Sequence, residues 1–302
     1  MAARFTSTSV PLGLHGSHWR DWLRSLGGTL GHLAAWVGLY IGGCVALAGL
    51  LLQSSVPLLA VAVAIPAAMG TYLIDRARPL PGRVDPADAI AHADRAALMI
   101  RSGGFIRFAA VVLLALAMVL AMTISPLVVL VIIGAPIGVL VYSHRGTLGR
   151  PKDRLIIKNA FVAVSIVTLV LVLVAAGHQP GAVAVVGSFL LLHIFVDAML
   201  CDLDDRHADS RFGTRTIPNT IGVAATWRIA ILVNLFAAGL LLVAAWLSVL
   251  AWPPAILLGL STLAATVVLS TLPVSRTKDL VDLKLPVAVL VGWIAVSLAG
   301  VA

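Results

Sequence analysis

Residues 181–218 read GAVAVVGSFLLLHIFVDAMLCDLDDRHADSRFGTRTIP, an apolar run that closes on Asp197, Asp202, Asp204, Asp205 and Asp209. The chain has no Glu, so this short stretch holds five of its 13 acidic residues. A run such as 181–201 is long enough to cross the ~30 Å hydrocarbon core of a bilayer. Charge at the edge of such a span is costly, which makes the cluster a functional-site signal. At about 100° per residue, a helix through the segment puts Asp202, Asp205 and Asp209 within about 60° of one another and Asp197 and Asp204 on the other side. Three carboxylates on one stripe repel unless a cation sits among them. Oxygen-only donors suit a hard ion, Mg²⁺ above all. Asp197 and Asp204 are expected to face solvent or to pair with a neighbouring Arg.

Composition agrees with the span. Apolar residues make up 60% of the 302, charged residues 11%, and the mean hydropathy is +1.05. Soluble domains carry about 25% charged residues, so the chain reads as an integral membrane protein. The fold class expected is all-α, a multi-pass membrane bundle of about nine transmembrane helices at 29–52, 56–75, 104–123, 125–144, 159–177, 181–201, 227–248, 252–272 and 283–302. Short links such as Gln53–Ser55 and Gly177–Pro180 favour one domain over 29–302 rather than several. Residues 1–28 precede it, with Trp19, Trp22, Leu23 and Leu26 on one helical face, as in a helix lying in the membrane interface. Cys44 and Cys201 lie in different spans without metal-site spacing, so neither a disulfide nor a zinc site is expected.

With the N-terminus in the cytoplasm, all 21 Lys and Arg fall on one side of the membrane. The positive-inside rule makes that side cytoplasmic, and all 13 Asp share it, so chemistry is expected at the cytoplasmic mouth of a protein of the cytoplasmic membrane. The net charge of +8 is then a matter of topology and attraction to lipid, and nucleic-acid binding is not expected. Three loops on this side carry the charge: 75–103, 142–158 and 202–226. Helices 2 and 6 both end in Asp, four helices apart, as if the bundle had two halves with one acidic site each. In the last loop Gly213 supplies a turn, flanked by Arg211 and Arg215. Carboxylates holding Mg²⁺ beside Arg donors suit a phosphate-bearing ligand, and a diphosphate at a membrane mouth suggests a lipid tail between the helices.

These residues resemble the UbiA superfamily of intramembrane prenyltransferases. The family's second aspartate motif, D-x-x-D-x-x-x-D followed by G-x-R-T-x-P, matches Asp202, Asp205, Asp209, Gly213, Arg215, Thr216 and Pro218. The loop with Tyr142 and the pair Lys158–Asn159 resembles the family's middle loop. The first motif, N-D-x-x-D-x-x-x-D, departs: Thr71 and Tyr72 replace Asn-Asp, Asp75 matches, and Pro79 replaces the last Asp. The resemblance implies a UbiA-like bundle that binds a prenyl diphosphate through Mg²⁺ and transfers the prenyl group to a lipophilic, often aromatic acceptor. Two other outcomes stay open: a terpene cyclase that needs no acceptor, and a non-catalytic protein that binds or moves a polyprenyl lipid.

Candidate roles follow residue by residue. Asp202, Asp205, Asp209 and Asp75 are the candidate metal ligands, with an ion pair to Arg76 or Arg78 the alternative for Asp75. Lys152, Lys158, Asn159 and Arg215 are the candidate diphosphate contacts. Positive-inside topology alone also explains Lys152, Arg154 and Lys158, and Asn159 has the alternative role of a helix cap. Asp75, Tyr142 and Lys158 are the candidate catalytic residues, Tyr142 through its ring face beside an allylic cation. His193 is expected to bond a neighbouring helix. Gly42–Gly43 and Gly134 with Gly138 are expected to mark close helix packing rather than a ligand path.

Overall fold

A computed structural model describes residues 27–77, 86–143, 151–273 and 277–298. Most of the interfacial segment, including Trp19, Trp22, Leu23 and Leu26, lies outside these residues; of the described residues, a helical turn at 27–32 precedes α1. The helices are α1 (Ala35–Gln53), α2 (Leu58–Arg76), α3 (Pro86–Ala91), α4 (Ala93–Ala121), α5 (Pro126–Ser143), α6 (Ile157–Val174), α7 (Pro180–Arg211), α8 (Ile217–Ile221), α9 (Val223–Trp246), α10 (Trp252–Ser270) and α11 (Thr277–Leu298). No strand occurs among the described residues.

The chain is an integral membrane protein. Among the described residues eight helices (α1, α2, α4–α7, α9 and α10) are long and apolar enough to cross a membrane, and α11 packs against α1, α7 and α10. Phe105, Phe108, Leu130, Phe236 and Trp246 are exposed on the outward faces, as a lipid-facing surface requires. The core is built on α1 and α7: α1 packs on α2, α11, α6 and α7, while α7 packs on α6, α9 and α11.

Two boundaries differ from expectation. The stretch 202–211 is helix, not loop, because nothing breaks the helical pattern before Phe212–Gly213. The 32 residues of α7 are about 48 Å long, well beyond the hydrocarbon thickness, so the Asp-bearing end projects out of it. Likewise α4 begins at Ala93 rather than near 104, and α3 occupies part of the expected 75–103 loop.

Glycines set the close contacts. A Cβ at Gly42 would lie 2.8 Å from Ile65 Cγ1 on α2, so this pair of glycines does mark close packing. At Gly70 a Cβ would meet Leu114 Cγ at 2.8 Å and the Ala110 carbonyl at 2.9 Å, on α4. Gly134 and Gly138 overturn the packing expectation: nothing lies within 4 Å of a Cβ at Gly134, Phe161 stands 3.6 Å from one at Gly138, and both line a cavity. Substituting Ala at Gly70 should lower unfolding stability by about 1–3 kcal/mol, because a backbone carbonyl cannot yield. Gly104→Ala, with open space around its Cβ, should not. Thermal unfolding of the two variants in detergent checks the difference.

Candidate functional site

Two turns apart on α7, Asp202 and Asp209 point the same way, about 20° apart at 100° per residue. Lys158, in the first turn of α6, places its Nζ 2.7 Å from Asp202 Oδ1 and 3.1 Å from Asp209 Oδ2. Both carboxylates are buried, and the shared ammonium offsets a charge that burial would otherwise make very unfavourable. Asp205 sits at the edge of the stripe and turns elsewhere, its Oδ1 2.9 Å from His92 Nε2 at the α3–α4 junction. The side chain of Asn159 is buried behind Lys158. Oriented to accept from the Met199 N–H at 2.8 Å, its amide donates to Asp202 Oδ2 at 3.3 Å.

The turn after α7 holds Lys158 in register. Gly213 takes φ 76°, the left-handed region that glycine enters without strain, and the Thr214 N–H returns to the Asp209 carbonyl at 2.9 Å. Thr214 Oγ1 donates to Asp153 Oδ1 at 2.8 Å, and the Arg215 N–H donates to the Asp153 carbonyl at 3.0 Å. Asp153 closes the 3₁₀ turn Pro151–Asp153 that leads into α6. Asn219 braces the turn, accepting from the Thr216 N–H at 2.9 Å and donating to the Thr214 carbonyl at 2.8 Å. The Gly-Thr-Arg-Thr sequence therefore works through Gly213 and Thr214, fastening the α5–α6 segment to the end of α7.

These groups line a cavity of about 250 Å³. Asp75, Lys158, Asn159, Asp202, Asp205, Asp209, Thr214 and Asp282 form its polar lining, and Val37, Val162, Ile166 and Ile194 are among its apolar lining. Ser143 Oγ donates to Asp75 Oδ1 at 3.1 Å. Tyr142 stacks on Phe161 with ring centroids 4.5 Å apart. A second, apolar cavity of about 410 Å³ lies among α2, α5 and α6 and shares Tyr72, Asp75, Tyr142, Val162 and Ile166 with the first. At the rim a third cavity is lined by His32, His92, Arg76, Arg95 and Arg206 together with Asp204, Asp205 and Asp282. Burial, then the charges of Arg95 and Arg76, hold His32 below the usual imidazole range, so it adds no positive charge there at neutral pH.

The structure thus brings together Asp75, Tyr142, Lys158, Asn159, Asp202, Asp205 and Asp209. The side chain of Arg215 is exposed, and its neighbour Thr214 lines the cavity instead. The side chain of Lys152 lies outside the described residues. Asp197 contradicts its expectation: it is 3% exposed, lines the cavity, and pairs with Lys284 of α11 rather than with an Arg or solvent. Lys284, Tyr40 and Asn234 join the site from other helices, and polar side chains inside apolar runs such as theirs are themselves a signal that partners are needed. His193 bonds Asn234 on α9 at 3.1 Å.

For a metal, the donor chemistry fits a hard cation: four candidate carboxylates face one cavity. Among the described residues no three His, Cys, Asp or Glu are already gathered around a single point. Asp202 and Asp209 do converge on a single positive charge, that of Lys158. The clasp at Thr214 is testable. Gly213→Ala should destabilise by about 1–2 kcal/mol, and a Thr214→Val, Asp153→Ala cycle should give a coupling of about 1–2 kcal/mol, both read by thermal unfolding.

The model of the UbiA prenyltransferase family matches residues 100–285. No curated protein matches in sequence. Among solved structures, a UbiA homologue from Archaeoglobus fulgidus bound to DMAPP and Mg²⁺ is similar with TM-score 0.60 and 13% identity, covering 89% of this chain and 98% of the other. The apo UbiA homologue from Aeropyrum pernix K1 has TM-score 0.57 and 15% identity, covering 86% and 96%. A digeranylgeranylglyceryl phosphate synthase structure has TM-score 0.51 and 16% identity, covering 90% and 99%.

Proposed function

This chain belongs to the UbiA prenyltransferase family, and from that premise we propose that it transfers a prenyl group within the membrane, in a Mg²⁺-dependent reaction, from a prenyl diphosphate to a lipophilic, aromatic acceptor. The observation that carries the reading is the joining of two unlike cavities. A carboxylate- and ammonium-lined chamber meets an apolar chamber across Asp75, Tyr72 and Tyr142, as a molecule with a charged head and a hydrocarbon tail requires. The Archaeoglobus fulgidus homologues bound to DMAPP or GPP with Mg²⁺ support both ligand assignments.

Asp202 and Asp209, with Asp205 and Asp75 beside them, are the carboxylates that would hold Mg²⁺, which when bound supplies Lewis-acid neutralisation of a departing diphosphate. Lys158 is the resident cation of the same seat. Released from the carboxylates, its ammonium is placed to donate to diphosphate oxygens, and Asn159 adds an amide donor beside it. Tyr142 presents a ring where the two chambers meet, and its stacking on Phe161 fixes that orientation for the stabilisation of positive charge on the allyl group. The apolar walls exclude water, which would otherwise capture the cation. The face bearing the Lys and Arg residues is the cytoplasmic one by the positive-inside rule, so the diphosphate enters from that side.

One observation favours a second reading, a lipid-binding protein without turnover. Thr71 and Tyr72 stand where the first motif has Asn-Asp, and the remaining Asp75 is held by Ser143. Labelled prenyl diphosphates of several lengths, incubated with the purified protein and a membrane lipid extract as acceptor source, separate the two. Transfer should occur with Mg²⁺, stop with EDTA, and fall by about 10²–10³-fold in Asp202→Asn. Tight binding of every chain length with no turnover by folded protein would establish the lipid-binding reading instead. A product formed without any acceptor would identify a cyclase. In the apolar chamber, Gly138→Leu should shift the accepted prenyl chain to shorter lengths, measured as relative kcat/KM across the same panel.

A further inference from the structure

About a turn and a half into the bundle from Asp202, α7 carries Asp197, and about a turn further on His193, 3% and 0% exposed. Lys284 of α11 donates to Asp197 Oδ1, and the Tyr40 hydroxyl of α1 donates to Asp197 Oδ2 at 2.8 Å. His193 Nε2 stands 3.3 Å from that same Oδ2. A buried ion pair is poor evidence of stabilisation, because well-packed apolar side chains often do as well, whereas an ionisable group inside a span marks a working site. Asp197 and Tyr40 both line the cavity that Asp202 and Lys158 also line.

The direction of the hydrogen bonds from Thr266 through Asn234 to His193 is set by one backbone carbonyl. Thr266 Oγ1 lies 3.0 Å from the Thr262 carbonyl, which can only accept, so the hydroxyl proton of Thr266 points there. Its lone pairs then face Asn234 Nδ2 at 2.8 Å and Lys284 Nζ at 3.3 Å. With its amide nitrogen so engaged, Asn234 turns Oδ1 to His193 Nδ1 at 3.1 Å, and Nδ1 must carry the ring proton. In the neutral ring Nε2 is therefore bare. It has no hydrogen-bond partner and stands 3.3 Å from a carboxylate oxygen, near enough for a small turn of either side chain to bring the two into line.

We propose that Asp197 and His193 take up the proton that the acceptor loses during prenyl transfer, a role that rests on the transfer reading above. The bond from prenyl C1 to the diphosphate oxygen breaks, and its electron pair leaves with the diphosphate. The acceptor's electron pair forms the new bond to C1. The acceptor's own C–H or O–H electrons stay with the acceptor, and its proton passes to Asp197 Oδ2 at the cavity wall and then to His193 Nε2. It returns to water after the product departs. A proton leaving a freshly prenylated, positively charged ring is strongly acidic, so a weakly basic buried pair suffices. Lys284 and Tyr40 hold the carboxylate towards the cavity. The acceptor class follows: a phenol with its reacting edge at Asp197 and its apolar body against Val37, Ile166 and Ile194.

The test uses full-length protein in lipid nanodiscs with Mg²⁺, a membrane lipid extract and prenyl diphosphates carrying ¹⁸O in the bridging position. Scrambling of the label reports cleavage of the C1–O bond, and labelled lipid product reports transfer. In His193→Asn and Asp197→Asn, transfer should fall by about 100-fold through kcat. KM for the prenyl diphosphate and the rate of scrambling should stay within about twofold. Equal loss of scrambling and transfer, or transfer that survives in both variants, would overturn the proposal. A wild-type protein that neither scrambles nor transfers would sink the transfer reading itself. Should Asp197→Asn fail to fold, ¹⁵N NMR of ring-labelled wild-type protein and Asn234→Leu decides. His193 should show a protonated Nδ1 and a bare Nε2, with the tautomer released when Asn234 is lost. A resting proton on Nε2 would overturn the assignment.

Discussion

The ammonium of Lys158, held between the carboxylates of Asp202 and Asp209, ties α6 to α7 at the polar end of the bundle. Leaving two such carboxylates buried without a cation is unfavourable by several kcal/mol, so some positive charge must occupy the point between them. The surrounding architecture serves that requirement. The projecting end of α7 supplies both acids on one stripe, and the Gly213 turn with the Thr214–Asp153 hydrogen bond fixes the start of α6. Asn159 then fills in behind.

The same rule governs the network around Asp197, where no surface is available to dilute the charge. Lys284, Tyr40 and His193 converge on one carboxylate from three helices, and Asn234 and Thr266 extend the chain to a helix carbonyl that admits only one direction of donation. Both clusters reach one cavity, Lys158, Asp202 and Asp209 from the first and Asp197 and Tyr40 from the second. The outer one carries the charge balance suited to a diphosphate, and the inner one meets whatever lies against the hydrocarbon side. Between them Tyr142 opens onto a wholly different, apolar chamber.

The transmembrane character and the helix order were legible because an apolar run has one economical solution in a bilayer, with its backbone groups satisfied internally. The Asp202–Asp209 stripe was legible because a helical period relates residues on a single element. What the linear chain hides is pairing between elements. Lys284 and Asp197 lie in different spans, and nothing in either span says which partner it meets. Angular bookkeeping on α7 alone put Asp197 on the far side of the metal stripe and hence suggested solvent, whereas that side is covered by α1 and α11. Gly134 and Gly138 were misread for a related reason. Small residues allow either close packing or empty space, and only the neighbouring helix decides which.

The central claim is that the seat shared by Lys158, Asp202 and Asp209 is where a prenyl diphosphate and its metal are held. Calorimetric titration of the purified protein with a non-hydrolysable prenyl diphosphate analogue, in Mg²⁺ and in EDTA, tests it without requiring an acceptor. The account predicts binding that needs Mg²⁺, is lost when Asp202 and Asp209 are both changed to Asn, and survives Arg215→Ala. Binding that is indifferent to both the metal and these two aspartates would contradict it.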